Sequence, residues 1–142
     1  IEAIKEFKKP YLIGIHISEG TNLPSGEKIS AIRDIIDDQL LGIMLSCVSP
    51  ENFEINLKEL KNLNVPFGFK VNAFITTKPK DGYTSTFTKS NGNPNEFLGQ
   101  REDLTPQKVG ELARNFHNNG ATIIGGCCET RPSHIEAMAN TI

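Results

Sequence analysis

The sequence predicts an α/β fold of alternating strands and helices, on three observations. Four short apolar runs, Tyr11–Ile17, Leu40–Val48, Pro66–Phe74 and Ala121–Ile124, have the length and β-branched content of strands. The segments that follow them carry apolar residues at helical spacing, two of them opened by a capping hydroxyl and a proline, Ser49-Pro50 and Thr105-Pro106. The connections suit parallel pairing. Such a series of βα units builds either a doubly wound sheet or part of a (β/α)8 barrel, and four units are half of a barrel of about 250 residues. Without a GxGxxG or GxxxxGK phosphate loop, a nucleotide-binding doubly wound domain loses its main support.

Taken in order, Ile1, Ile4 and Phe7 repeat at helical spacing, and Lys8-Lys9-Pro10 closes them with cations and a breaker, so the chain opens on a helix tail that more polypeptide precedes. Tyr11–Ile17 is mostly apolar, as in a strand buried on both faces, and contains His16, expected to be a hydrogen-bonded core histidine. A turn-rich loop, SEGTNLPSGEK, leads to a helix bearing Ile29, Ile32, Arg33 and Ile36. The strand Leu40–Val48 ends beside Cys47, and the helix from Ser49 carries Phe53, Leu57 and Leu60 as its apolar stripe. After Pro66–Phe74 comes a long polar segment, residues 75–103, whose length suggests a lid or disorder; Tyr83, Phe87 and Phe97 within it are expected to pack it onto the body. The helix from Thr105 buries Val109, Leu112, Ala113 and Phe116, leaves His117 solvated and closes at Gly120.

A length of 142 residues, a formal charge of −2 and mixed signs describe a globular protein whose partner is a small molecule, not nucleic acid or a membrane. Three cysteines, an odd number, do not form a disulfide framework and fit a reducing, cytoplasmic setting. Their placement carries more. Cys127 and Cys128 follow Gly125-Gly126 where a strand gives way to a helix, and Cys47 closes another strand, so in one parallel sheet all three sulfurs meet at the same edge. Adjacent side chains of a regular strand point to opposite faces, so the pair can grip one ion only if the chain bends, and the two glycines permit a bend. Buried cysteines are commonly inert packing, and the vicinal pair alone would be a weak metal signal; it is the third cysteine at the same kind of place that favours a soft metal.

The segment IIGGCCETRPSHIEAM resembles the closing signature of the zinc-dependent homocysteine S-methyltransferase family, and Cys47 in LGIMLSCVSPE sits where that family places its first zinc-ligand cysteine. The loop NLPSGE and the strand end Val71-Asn72-Ala73 are similar to family features as well. The resemblance implies a (β/α)8 barrel of which residues 1–142 form the carboxyl-terminal half, completed by an amino-terminal half. It implies Zn2+ held by Cys47, Cys127 and Cys128, acting catalytically through the metal, with Asn72 and Gly126 on the substrate side. The implied partners are a thiol acceptor, homocysteine, which binds zinc as a fourth thiolate, and a methyl donor: a methylfolate through cobalamin, betaine or a sulfonium. Glu129, Phe74 and Ser46 depart from the family pattern, with Arg131 placed to neutralise Glu129; His134 matches it, in the first turn of a helix where capping, packing or catalysis are all open. The alternative is a non-catalytic thiolate module, binding metal structurally with a recruited His16, His117 or His134, or working in redox; an isolated half-barrel is further expected to self-associate.

Overall fold

In a computed structural model, residues 6, 8–17, 19–77 and 96–142 are described. The expected helix over Ile1, Ile4 and Phe7, and the aromatics Tyr83 and Phe87, lie outside them. Four strands among the described residues, β1 (Tyr11–Ile15), β2 (Leu40–Val48), β3 (Phe67–Val71) and β4 (Ile123–Gly126), pair in parallel in the order β1-β2-β3-β4. That order decides between the two architectures. A doubly wound sheet reverses its strand order at a switch point, whereas strands laid down in chain order by crossovers of one hand put every helix on one face, as in a (β/α)8 barrel.

Among the described residues, three α-helices follow strands: α1 (Pro50–Lys61), α2 (Pro106–Asn118) and α3 (Pro132–Thr141). The caps are those the sequence announces. Ser49 Oγ accepts from Asn52 N at 3.1 Å and Thr105 Oγ1 from Lys108 N at 3.2 Å, each before a proline that has no amide hydrogen to leave unpaired. The unit after β1 differs from expectation. Ile29–Ile35 is a 3-10 helix and Ile36 is already extended. Its first residue lacks a side-chain cap, and a run with four isoleucines in eight residues favours neither a long nor a well-formed α-helix.

The register sorts side chains cleanly. Ile43 and Leu45 of β2 and Phe67, Phe69 and Val71 of β3 face the helices and are all buried. There Phe69 meets Phe53 of α1 at 4.9 Å and Phe116 of α2 at 5.4 Å between ring centroids, and Phe53 and Phe116 lie 4.8 Å apart. Three rings from three elements thus form the centre of the core. Phe69→Ala should cost about 3–5 kcal/mol, a large part of the whole stability of an ordinary domain, and should move the denaturation midpoint accordingly; a change below about 1 kcal/mol would remove the trio from that role.

On the opposite face, which lines the interior of a closed barrel, Met44, Gly68 and Ile123 stand abreast, and Ser46, Lys70 and Gly125 follow one step nearer the strand ends. This face is only partly covered: Gly68 is buried, but Met44, Ser46, Lys70, Ile123 and Gly125 are half-buried. Leu12 of β1 is 47% exposed, which corrects the expectation of a first strand covered on both sides. His16 falls just beyond β1, exposed, with Nδ1 3.1 Å from Ser46 O, so it is hydrogen-bonded but not a core histidine.

Two buried asparagines of α1 tie the loop after β1 to the body. Asn52 Nδ2 donates to Ile17 O and Asn56 Nδ2 to Gly20 O, both at 2.9 Å. The stems of the long segment are joined too: Ile75 N donates to Gly99 O, Thr76 N to Leu98 O and Arg101 N to Ala73 O. Leu98 is the side chain that packs there, at 4% exposure, while Phe97, expected to pack, is 51% exposed.

Candidate metal centre

Alternation along β2 would place Cys47 on the helix face with Ile43 and Leu45, and Val48 on the inner face. The strand avoids this with a bulge. The pairing with β3 slips by one residue between Ser46 and Val48, and Cys47 takes a left-handed backbone, φ 56°. Val48 thereby returns to the helix side, fully buried, and the sulfur of Cys47 turns towards Cys128. A non-glycine residue in this region costs about 1–2 kcal/mol, which the surroundings must supply.

They do so from β3. Three successive residues at its end grip the three cysteines. Val71 O accepts from Cys127 N at 2.7 Å, Asn72 Nδ2 donates to Cys47 O at 2.6 Å, and Ala73 N donates to Cys128 O at 3.0 Å. Because β3 lies between β2 and β4, it brackets both halves of the site. Asn72 itself is 1% exposed, and its Oδ1 accepts from Phe74 N at 3.3 Å.

The bend at the vicinal pair is not where the sequence suggests. Gly125 and Gly126 remain regular strand; the chain turns after them, through Cys127 to Thr130, with Glu129 left-handed at φ 61° and Thr130 Oγ1 donating to Cys127 O at 2.6 Å. Gly126 serves closeness instead. A Cβ there would run into the Thr130 side chain and come within 3.1 Å of Ile135 Cδ1, so what Gly126 can offer a ligand is its main chain.

The three sulfurs converge. Cys47 Sγ lies 3.9 Å from Cys128 Sγ, Cys127 Sγ 3.8 Å from Cys128 Sγ, and all three are within 4.8 Å of one another. Tetrahedral zinc with bonds of about 2.3 Å requires sulfurs about 3.8 Å apart, so the donor set fits that ion in type and spacing. It does not fit a disulfide, whose sulfurs are about 2.05 Å apart, and all three cysteines are free. Among the described residues no histidine joins the group. His134 is used fully elsewhere: its Nδ1 accepts from Arg131 N at 3.0 Å and its Nε2 lies 3.0 Å from Leu104 O, which makes it a buried clamp at the start of α3. His117 Nδ1 lies 3.1 Å from Ala121 O.

Burial, then the neighbouring sulfurs, pushes the Cys47 thiol up to about 12 from its usual value, and burial and Cys127 raise Cys128. Without a cation the fold therefore resists ionising these thiols. The unfolded chain sheds those protons near pH 9 while the folded chain retains them, so the metal-free protein should be progressively less stable as pH rises from 9 towards 12. Denaturation midpoints of metal-free wild type and Cys47→Ser, compared between pH 8 and 10.5, check this: the wild type should lose more with rising pH, and parallel curves would contradict it.

Glu19, Ser49, Glu51, Asn72, Phe74 and Arg101 border a cleft of about 200 Å³, which Asn72 links to the cysteines through its bond to Cys47 O. Arg101 forks onto Glu51 at 2.8 and 2.9 Å and onto Asp103 at 2.7 and 3.0 Å, which holds both carboxyls below their ordinary range. This pairing fastens the stem of the long segment to the N-terminus of α1.

Fold and site together define a parallel βα sheet of barrel type with a cluster of three cysteines at the carboxyl ends of its strands. The chain belongs to the homocysteine S-methyltransferase family, whose model matches residues 1–142. It is 25% identical to homocysteine S-methyltransferase YbgG of Bacillus subtilis over 98% of the chain, 25% identical to homocysteine S-methyltransferase 1 of Zea mays over all of it, and 28% identical to homocysteine S-methyltransferase 1 of Saccharomyces cerevisiae over 94%. It spans only 40 to 41% of the length of these relatives.

Proposed function

We propose that the protein to which this chain belongs transfers a methyl group to a thiol acceptor, homocysteine, giving methionine. The observation that carries the reading is the convergence of Cys47, Cys127 and Cys128, from two strand ends, at the sulfur spacing of a tetrahedral zinc site. Zinc bound there would let a fourth, substrate thiol lose its proton near neutral pH while leaving its sulfur electron-rich, since three thiolates make the ion a poor activator of water. Such a thiolate would be the nucleophile for the methyl carbon, its sulfur–carbon bond forming as the bond to the donor breaks and the donor leaves with the bonding electrons.

The chain's own residues hold this arrangement. The bulge aims Cys47, the turn through Thr130 aims the vicinal pair, and the end of β3 fixes both to one frame. Asn72 and Gly126 border the acceptor side, Asn72 at the cleft wall and Gly126 through its main chain. We further infer that residues 1–142 are the carboxyl-terminal half of a single barrel domain, that an amino-terminal half covers the exposed inner face around Leu12, and that the enzyme works in the cytoplasm on small molecules alone. A structural zinc site normally closes with four protein ligands, and the described residues bring three, with His134 committed to Leu104 and Arg131; this favours the enzyme over a non-catalytic module.

The test is metal content and proton release on the reduced whole protein. About one zinc should bind per chain, and added homocysteine should be taken up with release of about one proton, whereas its S-methylated product should not. Stoichiometric zinc with no response to homocysteine would favour the structural module; no zinc at all would defeat both.

A further inference from the structure

We propose that Asn72 is a positioning residue that restrains the thiolate of Cys47 so that this sulfur is not methylated in place of the acceptor. The inference rests on the reading just given. A centre with several thiolates around one ion presents the donor with more than one nucleophile, and Cys47 is half-buried, not sealed away. If Cys47 attacked, its sulfur would take the methyl carbon, the donor would leave with the bonding electrons, and the product would be a neutral thioether that holds the metal poorly. The site would be lost in one turnover.

The geometry of Asn72 opposes this in two ways. A side-chain amide nitrogen carries two hydrogens, and both are directed at Cys47: Nδ2 lies 2.6 Å from its carbonyl oxygen and 3.7 Å from its sulfur, within reach of an N–H···S contact. The orientation of the amide is fixed by its partners, because Cys47 O needs a donor and Phe74 N needs an acceptor, which Oδ1 supplies at 3.3 Å. The first bond holds the left-handed backbone that aims the sulfur. The second withdraws electron density from the sulfur itself, the kind of outer contact that tunes a metal ligand. With the side chain 1% exposed, water does not replace either bond.

Site-resolved alkylation tests the proposal without recourse to activity. The whole protein, zinc-loaded and metal-free, is treated with iodoacetamide, whose iodide a thiolate displaces, and modification of each cysteine is followed by peptide mass spectrometry in wild type, Asn72→Leu and Asn72→Asp. Aspartate keeps the size and the bond from Phe74 N but has no hydrogen to donate when ionised, so it serves if leucine prevents folding. In the wild type Cys47 should be the slowest of the three. In the variants its rate should rise about three- to tenfold relative to Cys127 and Cys128, zinc should be held about ten- to a hundredfold more weakly, and the sulfur-to-metal charge-transfer band of the cobalt-substituted protein should move to longer wavelength. An unchanged ratio and band in a folded, metal-loaded variant would overturn the role of Asn72 while leaving the proposed function intact. If the wild type takes up no metal, the proposed function falls, and the metal-free series decides separately: the restraint stands if Cys47 is accelerated in the variants and falls if it is not.

Discussion

Cys47→Ala is expected to reduce zinc affinity by a factor of about 100 or more, and Cys47→Gly to do the same while leaving the metal-free fold more stable than the alanine variant by about 1 kcal/mol. Structural zinc sites of four ligands contribute about 10–16 kcal/mol in all, so one ligand carries on the order of 3 kcal/mol, or about two decades. The second half of the expectation comes from the backbone. At φ 56° an alanine keeps the Cβ that makes this region costly, whereas glycine does not. In a regular strand the order would be the reverse, because glycine there loses more chain entropy on folding. Zinc titration against a chelator, together with denaturation midpoints of the metal-free proteins, reads both effects. If alanine proves more stable than glycine at this position, Cys47 does not occupy a left-handed bulge, and its sulfur is aimed by some other means.

Such a result would also mark where the sequence is legible. Ser49-Pro50 and Thr105-Pro106 could be read directly because a cap and its helix are neighbours in the chain, and the hydroxyls do accept from Asn52 and Lys108. The meeting of Cys47 with Cys127 and Cys128 was legible one level up, since parallel strands bring their carboxyl ends to one edge. The means of meeting were not. A bulge at Cys47 goes against the preference of the residue that adopts it, and the two glycines attracted an explanation that belongs to the turn after them. Nor could Val71-Asn72-Ala73 be read as a bracket, since its partners lie 25 residues before it in one case and more than 50 after it in the others. The same distance hides the roles of Asn52, Asn56 and His134, polar residues whose burial is decided by loops that arrive from elsewhere. The 3-10 helix Ile29–Ile35, in place of an α-helix before β2, is hidden for a local reason: isoleucines at helical spacing suggest an α-helix, while their β-branching weakens the α form.

Gly68→Ala should be as damaging to the site as loss of a ligand, although Gly68 touches no sulfur. A Cβ at Gly68 would overlap the carbonyl oxygen of Ile123 and stand 2.5 Å from its carbonyl carbon and 2.6 Å from its Cβ, where carbon atoms in good contact are about 3.5–4.0 Å apart. The obstacle is main chain, so no side-chain rotation relieves it. Overpacking in a core usually costs about 1–3 kcal/mol, and here the strain falls on β4, four residues long, whose pairing with β3 it pushes apart. Cys127 and Cys128 leave with that strand, because Cys127 N depends on Val71 O and Cys128 O on Ala73 N. The expected signature is specific: in Gly68→Ala the amides of Thr122 and Cys127, bonded to Phe67 O and Val71 O, exchange with solvent much faster, while those of β2 change little, and zinc is lost with them. Were zinc binding and the protection of both amides to survive the substitution, the close approach of β3 and β4 would not be what carries the vicinal cysteines to Cys47. The placement of a metal centre would then rest on the turn through Thr130 alone, and Thr130→Ala, which removes the 2.6 Å bond to Cys127 O, would become the variant that separates the sulfurs.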